Sequence, residues 1–243
     1  MVIAHPDDET LAMGGRLPLF KNLRLIQLTD GAPRQPSETR RAAYAAEREA
    51  EMRLALDRLG IALSQRLQCG ISDQQTMFHL GMLAKTLQSD LRGMEFVFTH
   101  PYEGGHPDHD AAAFAVQTAC DLMSCAGHTA PLRLEFASYH CRDGQRIAGA
   151  FWPDPSCPEV IASLDREARA RKREAVACYR SQSAVVAWFD PDVERYRLAP
   201  RYDFLRPPPP GSALYDSFGW SAASTAWREQ ARAALAQIAQ RSA

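Results

Sequence analysis

The residue types best suited to catalysis stand within the first nine positions of this 243-residue chain. The β-branched run Val2–Ile3 predicts a strand, and Pro6 cannot continue the hydrogen-bond ladder of that strand. One imidazole, His5, and two adjacent carboxylates, Asp7 and Asp8, therefore lie at a strand end, where open α/β sheets bind ligands. A tight turn can bring His5 and Asp8 onto one metal ion, which leaves Asp7 free to act on a water molecule.

A second cluster of the same kind lies near the middle of the chain. The apolar run Phe96–Phe98 predicts a buried strand, and a loop rich in glycine, proline, histidine and acidic residues follows it. This loop carries His109, and His100 is a candidate for an outer contact to the same site. If the two strand ends meet, His5, Asp8 and His109 can bind one ion. Three protein ligands with an open fourth position are typical of catalytic zinc.

Together the two clusters resemble the paired motifs of the PIG-L/LmbE family of metal-dependent deacetylases. The first motif is AHPDDE, which ends at Glu9, and the second is HPDH, which ends at His109. Further likeness in the sequence LTDGA and in the stretch from Lys172 to Gln182 extends the resemblance over residues 1–185. The resemblance implies a hydrolase that removes N-acetyl groups from glucosamine-type sugars or cleaves related amides.

The resemblance also implies a role for each polar residue of the two motifs. His5, Asp8 and His109 match the family's zinc ligands, and Asp7 matches its general base. His106 matches a residue that acts as an acid or stabilises the oxyanion, and the sequence does not decide between these tasks. Because nitrogen and oxygen ligands also suit Fe²⁺, we predict Zn²⁺ and leave iron open.

Two further residues, Arg48 and Asp73, fall where the family places contacts to sugar or phosphate. From sequence context alone, Arg48 is a surface charge on a helix and Asp73 is the cap of the next helix. We keep both interpretations open and treat the two residues as candidate substrate contacts. Tyr102 precedes His106 by four residues, and this offset does not justify assigning Tyr102 as an oxyanion donor.

The composition is that of one globular domain without a surface for nucleic acid or membrane. With 46% hydrophobic residues the chain can form a full core, and its net charge of −1 argues against nucleic-acid binding. The six cysteines form no CxxC pair and no zinc-binding spacing, so we expect them to be reduced. No signal peptide precedes the first strand and no apolar run could cross a bilayer, which predicts a cytoplasmic enzyme.

Predicted strands alternate with predicted helices, which is typical of a Rossmann-like α/β fold with a mainly parallel sheet and helices on both faces. The metal site would then lie at the C-terminal ends of the strands. The first helix is predicted over Leu11–Phe20. We predict one domain over residues 1–243, with a core over 1–185 and with an irregular proline-rich segment and a C-terminal helix over 186–243.

Several local predictions are specific enough to test. Ser37 can cap a long helix, and the stretch Gln65–Cys69 predicts a brief edge strand. Ser72 or Asp73 is predicted to cap the next helix. The Asp143-Gly144 pair, between two strand-like runs, predicts a hairpin turn.

The predicted reaction is hydrolysis of an N-acyl bond, which yields acetate and a free amine. The metal polarises the amide carbonyl, Asp7 removes a proton from the attacking water, and His106 stabilises the oxyanion. The predicted partner is a small N-acetylated amino-sugar or its conjugate. The sequence leaves the acceptor open, and it leaves open whether the chain forms a homo-oligomer.

Two other classes of function stay open at this point. One is a metal-dependent amidase that cleaves a larger acyl group or a thiol conjugate, because the sequence does not give the size of the pocket. The other is a non-catalytic sugar-binding relic, although such a protein has no need for a free base at Asp7. A phosphoester hydrolase usually requires a second metal and more carboxylates.

Overall fold

The computed structural model describes residues 1–34, 37–62 and 66–242. The helices are α1 Asp8–Met13, α2 Glu38–Arg58, α3 Leu80–Asp90, α4 Pro107–Cys125, α5 Arg166–Val176, α6 Ser183–Val186 and α7 Ser224–Ser242. The strands are β1 Val2–Ile3, β2 Leu25–Pro33, β3 Arg66–Asp73, β4 Phe96–Thr99, β5 Leu132–Phe136, β6 Tyr139–Arg142, β7 Gln145–Ala148, β8 Val160–Ser163 and β9 Val193–Leu198. None of the helices in these ranges is both long and apolar enough to cross a membrane.

The strands form three sheets in the described part of the chain. Sheet A has the order β1-β2-β3 and is parallel throughout. Sheet B has the order β4-β5-β9-β8, in which β4 and β5 are parallel while β9 runs antiparallel to both of its neighbours. The third sheet is the antiparallel pair β6-β7. The predicted α/β class is therefore confirmed, but the parallel arrangement extends only over sheet A and part of sheet B.

Strand β1 of sheet A is buried on both faces, because both of its residues are apolar, whereas β3 at the other edge of the sheet is partly exposed. In β1, Val2 packs in one core cluster with Leu83 and Val116, and Ile3 packs in another with Met52. All five side chains are fully buried, and each burial is worth about 1.5–3 kcal/mol of transfer free energy. Helices α3 and α4 thus cover one face of β1 and α2 covers the other, so the residues that follow β1 leave a rigid strand.

A third core cluster attaches the C-terminal helix to the rest of the fold. Trp227 of α7 is fully buried and packs with Tyr102, Phe114 and Phe204. Its indole Nε1–H also donates to the carbonyl of Pro107, at 3.0 Å. Helix α7 therefore braces the first turn of α4, which carries the second sequence motif.

The cap of α2 and the hairpin agree with the local predictions. Ser37 Oγ accepts a hydrogen bond from the backbone N–H of Arg40 at 3.3 Å, at the start of α2. Asp143 and Gly144 have φ values of 52° and 74° between β6 and β7, as a hairpin turn requires. The start of the predicted strand Gln65–Cys69 lies outside the described residues, and the rest belongs to β3 at the edge of sheet A.

The first helix differs from its prediction over Leu11–Phe20. Helix α1 begins within the first motif and is over by Gly14, and a short 3₁₀ turn follows at Leu17–Leu19. A Cβ on Gly15 would lie 2.5 Å from Leu164. The glycine pair therefore ends the helix where the backbone has to approach a neighbouring segment closely.

The predicted cap of the following helix is wrong. Ser72 and Asp73 belong to β3, and a 3₁₀ turn at Thr76–His79 separates this strand from α3. The capping prediction failed because a cap and a strand end use the same short polar residues. As a result, Asp73 stands at the end of a strand.

Strand β9 lies inside the segment predicted to be irregular, and it occupies the middle of sheet B. Its Arg197 is 4% exposed and donates to Glu135 Oε2 and Glu103 Oε1, both at 2.8 Å. We call Glu103, Glu135 and Arg197 the Arg197 cluster. Because of its charged residues, β9 was not predicted from the sequence. In the structure the charge of Arg197 is paired with Glu135 of β5 and with Glu103 of the loop after β4.

Candidate metal centre and active site

The first motif forms a turn that places two potential ligands side by side. Strand β1 ends at Ile3 and α1 begins at Asp8. The Asp8 backbone N–H donates to the carbonyl of His5 at 3.4 Å, and Asp8 Oδ2 accepts from the His5 backbone N–H at 2.7 Å. Between them, Asp7 has a φ of 129°, which residues with a side chain rarely adopt. This turn directs the Asp8 carboxylate back toward His5.

The second motif begins a helix. Strand β4 ends at Thr99, and α4 begins at Pro107, whose fixed φ suits the first helical position. His106 caps this helix, because its Nδ1 accepts a hydrogen bond from the Asp108 backbone N–H at 3.2 Å. His109 lies in the first turn and is 2% exposed. Both histidines are therefore held at the buried start of α4.

The two motifs meet, and the side chains of His5, Asp8 and His109 form a triangle. His5 Nδ1 lies 3.3 Å from His109 Nε2. Asp8 faces each ring with a different oxygen, with Oδ2 at 3.6 Å from His5 Nδ1 and Oδ1 at 3.5 Å from His109 Nε2. Ligand atoms about 2.0–2.1 Å from a tetrahedral zinc ion are about 3.3–3.4 Å apart. The spacing of the two ring nitrogens fits such an ion.

Two more histidines border this triangle. One ligand atom from each of His5, His106 and His109 lies within 4.8 Å of the others, and the same holds for Asp8, His100 and His109. All of these side chains are buried. We call the five residues the His/Asp cluster. It can hold a metal ion, and the predicted ligands His5 and Asp8 each form such a group with His109, in two separate groups.

The outer nitrogens of the two predicted histidine ligands already have partners. His5 Nε2 lies 3.2 Å from Asp73 Oδ1 and 3.3 Å from Asp108 Oδ2, and both carboxylates can only accept. His109 Nδ1 lies 3.0 Å from Ser138 Oγ, and burial lowers the pKa of His109 well below its ordinary value. An imidazole that donates through one nitrogen presents a lone pair on the other, as metal-bound histidines do. Burial would lower the pKa of His5, but Asp73, Asp108 and Asp8 raise it well above its ordinary value, so His5 has to lose a proton when a metal ion binds.

The neighbouring histidines keep Asp8 ionised. Burial would raise the pKa of Asp8, but His100 and His109 hold it well below its ordinary value. His100 Nε2 lies 3.1 Å from Asp8 Oδ2, and the His100 ring stacks on His109 with centroids 3.9 Å apart. A metal ligand has to be deprotonated, so the state of Asp8 suits that role. His100 is an outer neighbour of the predicted ligands.

Arg48 lies beneath the first motif, not on the surface. It is 4% exposed, and its Nη2 donates to Asp7 Oδ2 at 2.9 Å and to the Pro6 carbonyl at 2.8 Å. Its Nη1 donates to the carbonyl of Gly31, where a Cβ would lie 2.6 Å from the guanidinium. Burial raises the pKa of Asp7 to about 7, against the opposing effect of Arg48. A base with this pKa suits proton transfer near neutral pH.

His106 is arranged to donate a hydrogen bond into the site. Since its Nδ1 accepts from the Asp108 backbone, the ring proton is on Nε2, which lies 3.5 Å from Asp73 Oδ1. Burial and the neighbouring His5 lower the pKa of His106 to about 4. A neutral ring with a protonated Nε2 suits stabilisation of an oxyanion.

Asp108 is a residue whose role the sequence did not reveal. Its Oδ1 accepts from the Thr76 backbone N–H at 3.2 Å, and its Oδ2 accepts from the Gln74 backbone N–H at 2.6 Å. These bonds fasten the segment after β3 to the start of α4, which positions Asp73 over the cluster. The second motif contains Asp108, but no local pattern links it to a segment more than thirty residues earlier.

All seven residues predicted for the site line one cavity of about 420 Å³. They are His5, Asp7, Asp8, Arg48, Asp73, His106 and His109. The remaining lining residues are Leu11, Tyr139, Gln182, Val185, Trp188, Phe189, Phe218 and Trp220. Of these, only Gln182 belongs to a stretch that resembles the family. Tyr102 is not among them, and its hydroxyl donates to the carbonyl of Arg206. A groove of about 470 Å³ between α3 and α7 contains none of the predicted residues.

Comparison with known proteins points in the same direction as the geometry. Residues 1–120 match the PIG-L family model, described as GlcNAc-PI de-N-acetylase. A search of curated proteins finds no match to this chain. The matched region includes both sequence motifs and ends within α4.

Several solved structures share the fold. The zinc-inhibited form of teicoplanin deacetylase is 18% identical, with a TM-score of 0.60 over 83% of this chain and 98% of that one. N,N'-diacetylchitobiose deacetylase from Pyrococcus horikoshii is 20% identical, with a TM-score of 0.53 over 74% and 68%. The 4-carboxy-2-hydroxymuconate hydratase from Pseudomonas putida KT2440 is 17% identical, with a TM-score of 0.53 over 83% and 96%. The hydratase demonstrates that this fold carries more than one chemistry.

The fold alone therefore does not decide the class of enzyme. The deciding features are the two motifs, the His/Asp cluster in which they meet, and the family match that spans both of them. Residues 1–120 match the PIG-L family of de-N-acetylases, and this match, together with the His/Asp cluster, supports a metal-dependent deacetylase.

Proposed function

We propose that this protein uses one zinc ion, bound by His5, Asp8 and His109, to remove the N-acetyl group of a glucosamine-type sugar or its conjugate. The observation that carries the proposal is the triangle of these three side chains beside Asp7 in an open cavity, in which each pair has polar atoms 3.3–3.6 Å apart. These donors suit zinc, and they also suit Fe²⁺. When bound, a divalent ion polarises an amide carbonyl and acidifies water.

In the proposed reaction, two side chains of the protein move and hold protons. Asp7, oriented by Arg48, takes a proton from water while the water oxygen bonds to the amide carbon. His106 donates through Nε2 to the oxyanion that forms on the carbonyl oxygen. The C–N bond then breaks, and the proton passes from Asp7 to the amine nitrogen. Acetate and a free amino-sugar are the products.

Two more cavity residues are proposed to contact the substrate. Asp73 lines the cavity as a carboxylate, because His5 holds its pKa below the ordinary value in spite of burial. It can therefore accept a hydrogen bond from a sugar hydroxyl. Arg48 lines the cavity as well, and it mainly positions Asp7.

We further propose that sheets A and B act as one Rossmann-like sheet, with the metal site at the C-terminal ends of its strands. Strand β1 contacts β4, and the Ala4 backbone N–H lies 3.2 Å from His100 Nε2, so the strand order becomes β3-β2-β1-β4-β5. In such sheets ligands bind where the strand order reverses. His5 follows β1, Asp73 ends β3 and His106 comes after β4, in support of this location.

A single domain over residues 1–243 is also part of the proposal. Strand β9 lies between β5 and β8 in sheet B, although it follows residue 185. Helix α7 packs against α3 and α4 through Trp227. These contacts support one folding unit rather than a core with a detachable tail.

The test is acetate release from a panel of N-acetylglucosamine derivatives, with the metal content measured alongside. We expect about one zinc or iron ion per chain, and we expect acetate release to stop when a chelator removes it. Metal binding without acetate release from any N-acetyl sugar would support the sugar-binding relic. Faster release of a long acyl chain than of acetate would support the amidase.

A further inference from the structure

One side of the cavity mouth is a path of aromatic rings that begins at the His/Asp cluster. Tyr139 packs edge-on against His109, with ring centroids 5.0 Å apart. Trp188 and Phe189 follow, at 5.5 and 6.3 Å from Tyr139. His109 is buried while the other three rings are half-buried, so the path leads outward from the cluster.

A second aromatic path begins at His106. The Trp220 ring lies 5.1 Å from the His106 ring, and Phe218 lies 4.8 Å from Trp220 and is 37% exposed. Both residues come from the segment before α7, whereas Trp188 and Phe189 follow α6. Two separate segments of the chain thus supply aromatic rings to the same cavity.

Trp188 is held in place by a cation. The Arg146 guanidinium carbon lies 3.5 Å from the centroid of the Trp188 ring, which is a close cation–π contact. Arg146 is exposed, and Trp188 is half-buried beside an open cavity. The ring is therefore oriented by a surface contact and not by burial in the core, so its apolar surface remains available at the cavity.

The inner wall of the cavity carries little positive charge. Asp7, Asp8 and Asp73 line it, and Arg48 is the only arginine or lysine among the described lining residues. Both terminal nitrogens of Arg48 are bound to Asp7 and to backbone carbonyls. A phosphate-bearing acceptor is normally recognised by several arginine or lysine donors. The charge of the inner wall therefore disfavours a phosphate group next to the sugar, and Arg146 at the mouth is engaged with the Trp188 ring.

We propose that the substrate is an uncharged glycoside whose N-acetylated sugar carries an aromatic or aliphatic aglycone. The aglycone lies between the rings of Trp188 and Phe189 on one side and of Phe218 and Trp220 on the other. This inference rests on the proposed function. If the acyl group is a small acetyl group, the apolar part of the substrate has to be the aglycone attached to the sugar. Aromatic side chains bury a large apolar surface and stack on aryl rings.

The experiment compares kcat/KM of the metal-loaded protein for three N-acetylglucosamine derivatives: the phenyl β-glycoside, the methyl β-glycoside and the uridine diphosphate ester. We expect the phenyl glycoside to exceed the methyl glycoside by at least about tenfold, mainly through KM, and the diphosphate ester to be the poorest. Trp188→Ala and Trp220→Ala should each lower the phenyl-to-methyl ratio severalfold. Phe78→Ala removes an exposed ring in the groove between α3 and α7 and should keep the ratio.

A binding measurement separates this inference from the proposed function. Phenyl β-glucopyranoside has no acetamide, and we expect it to quench tryptophan fluorescence in the unaltered protein and much less in Trp188→Leu, with circular dichroism to confirm folding. Equal kcat/KM for phenyl and methyl glycosides, or a preference for the diphosphate ester, would overturn the inference. Faster turnover of N-octanoylglucosamine than of the phenyl glycoside would indicate that the aromatic rings bind the acyl chain. That result would also overturn the inference. Absence of acetate release would contradict only the proposed function, and the quenching would still decide the inference.

Discussion

The chain buries two clusters of ionisable side chains, and the two are built in opposite ways. In the Arg197 cluster every guanidinium nitrogen has an acceptor, because Nε and Nη2 bind Glu135 and Glu103 and Nη1 binds the Trp152 carbonyl at 3.0 Å. In the His/Asp cluster, ring nitrogens of His5 and His109 face each other at 3.3 Å, and Asp8 faces both of them. The Arg197 cluster already contains its cation, although Glu103 Oε2 accepts no hydrogen bond among the described residues, whereas the His/Asp cluster gathers ligand atoms around a place that a cation can fill. Burial of charge alone thus does not mark a functional site; ligand atoms that converge on one place do.

The largest predicted effect comes from removing ligands of the His/Asp cluster, and it is the loss of the metal ion. The double variant His5→Ala with His109→Ala should fall from about one bound ion per chain to almost none and should lose acetate release. Its thermal unfolding should stay cooperative, because β1 is held by its own core on both faces. Elemental analysis and calorimetry measure both quantities. A stoichiometric metal that survives the two substitutions would show that the ion binds elsewhere.

The second effect concerns the base that stands beside the metal ligands. Asp7→Asn should keep the metal and lower kcat by about 10²–10⁴-fold, the usual contribution of a positioned general base. Asp8→Ala should instead weaken metal binding, since Asp8 faces both histidines. Steady-state kinetics with metal analysis of each variant provides the measurement. If Asp7→Asn empties the site while Asp8→Ala does not, the two carboxylates have exchanged roles.

The third effect falls on the Arg197 cluster and should appear in stability instead of catalysis. Arg197→Leu leaves Glu103 and Glu135 buried without their cation and should lower the free energy of unfolding by about 3–5 kcal/mol. Urea denaturation measures this change. Arg173→Leu is the matched control, because its ion pair with Asp192 is largely exposed and should be worth less than about 1 kcal/mol. Similar losses in the two variants would argue against a buried network at Arg197.

The smallest effect sharpens the description of the metal site. Ser138→Ala removes the partner of His109 Nδ1 and should weaken metal affinity by about 10–100-fold while leaving the metal-saturated kcat nearly unchanged. Competition with a metal-binding dye measures the affinity. Ser156→Ala, an exposed serine that binds only Asp154 and Cys157 nearby, serves as the control. Unchanged affinity in Ser138→Ala would mean that the ring of His109 is oriented without its hydroxyl partner.

The inner part of the site could be predicted because its residues are neighbours in sequence. His5 and Asp8 are joined by one turn, and His106 and His109 by one helical turn, so local rules describe each pair. Arg48 could be placed in the site by resemblance, but its bond to Asp7 could not be predicted, because that contact spans 41 residues and depends on how α2 packs. The contact of Ser138 with His109 could not be predicted for the same reason.

The fold was predictable where apolar residues dominate a strand and not where charges interrupt it. Strand β4 is a continuous apolar run, and the structure confirms a strand at Phe96–Thr99. The predicted burial is wrong at Phe96, which is 50% exposed, and holds at Val97. Charged residues interrupt the apolar pattern of strand β9. Without knowledge of the neighbouring strands, such a pattern indicates an exposed segment. In the structure Glu194 is buried against Lys172, and Arg197 against its two glutamates. A pattern within one strand cannot show that its charges are matched by side chains far away in the sequence.

The backbone of Asp7 has a consequence for laboratory evolution. At a φ of 129° a residue with a side chain stores roughly 1–3 kcal/mol of strain, and the bonds of Asp7 to Glu9 and Arg48 hold it there. Glycine carries no such penalty at positive φ, but Asp7→Gly would also leave the buried Arg48 guanidinium without its carboxylate, which costs more than the strain that it relieves. Selection for heat resistance alone would therefore keep Asp7, even where turnover is not rewarded. The strained base is maintained by stability as well as by catalysis.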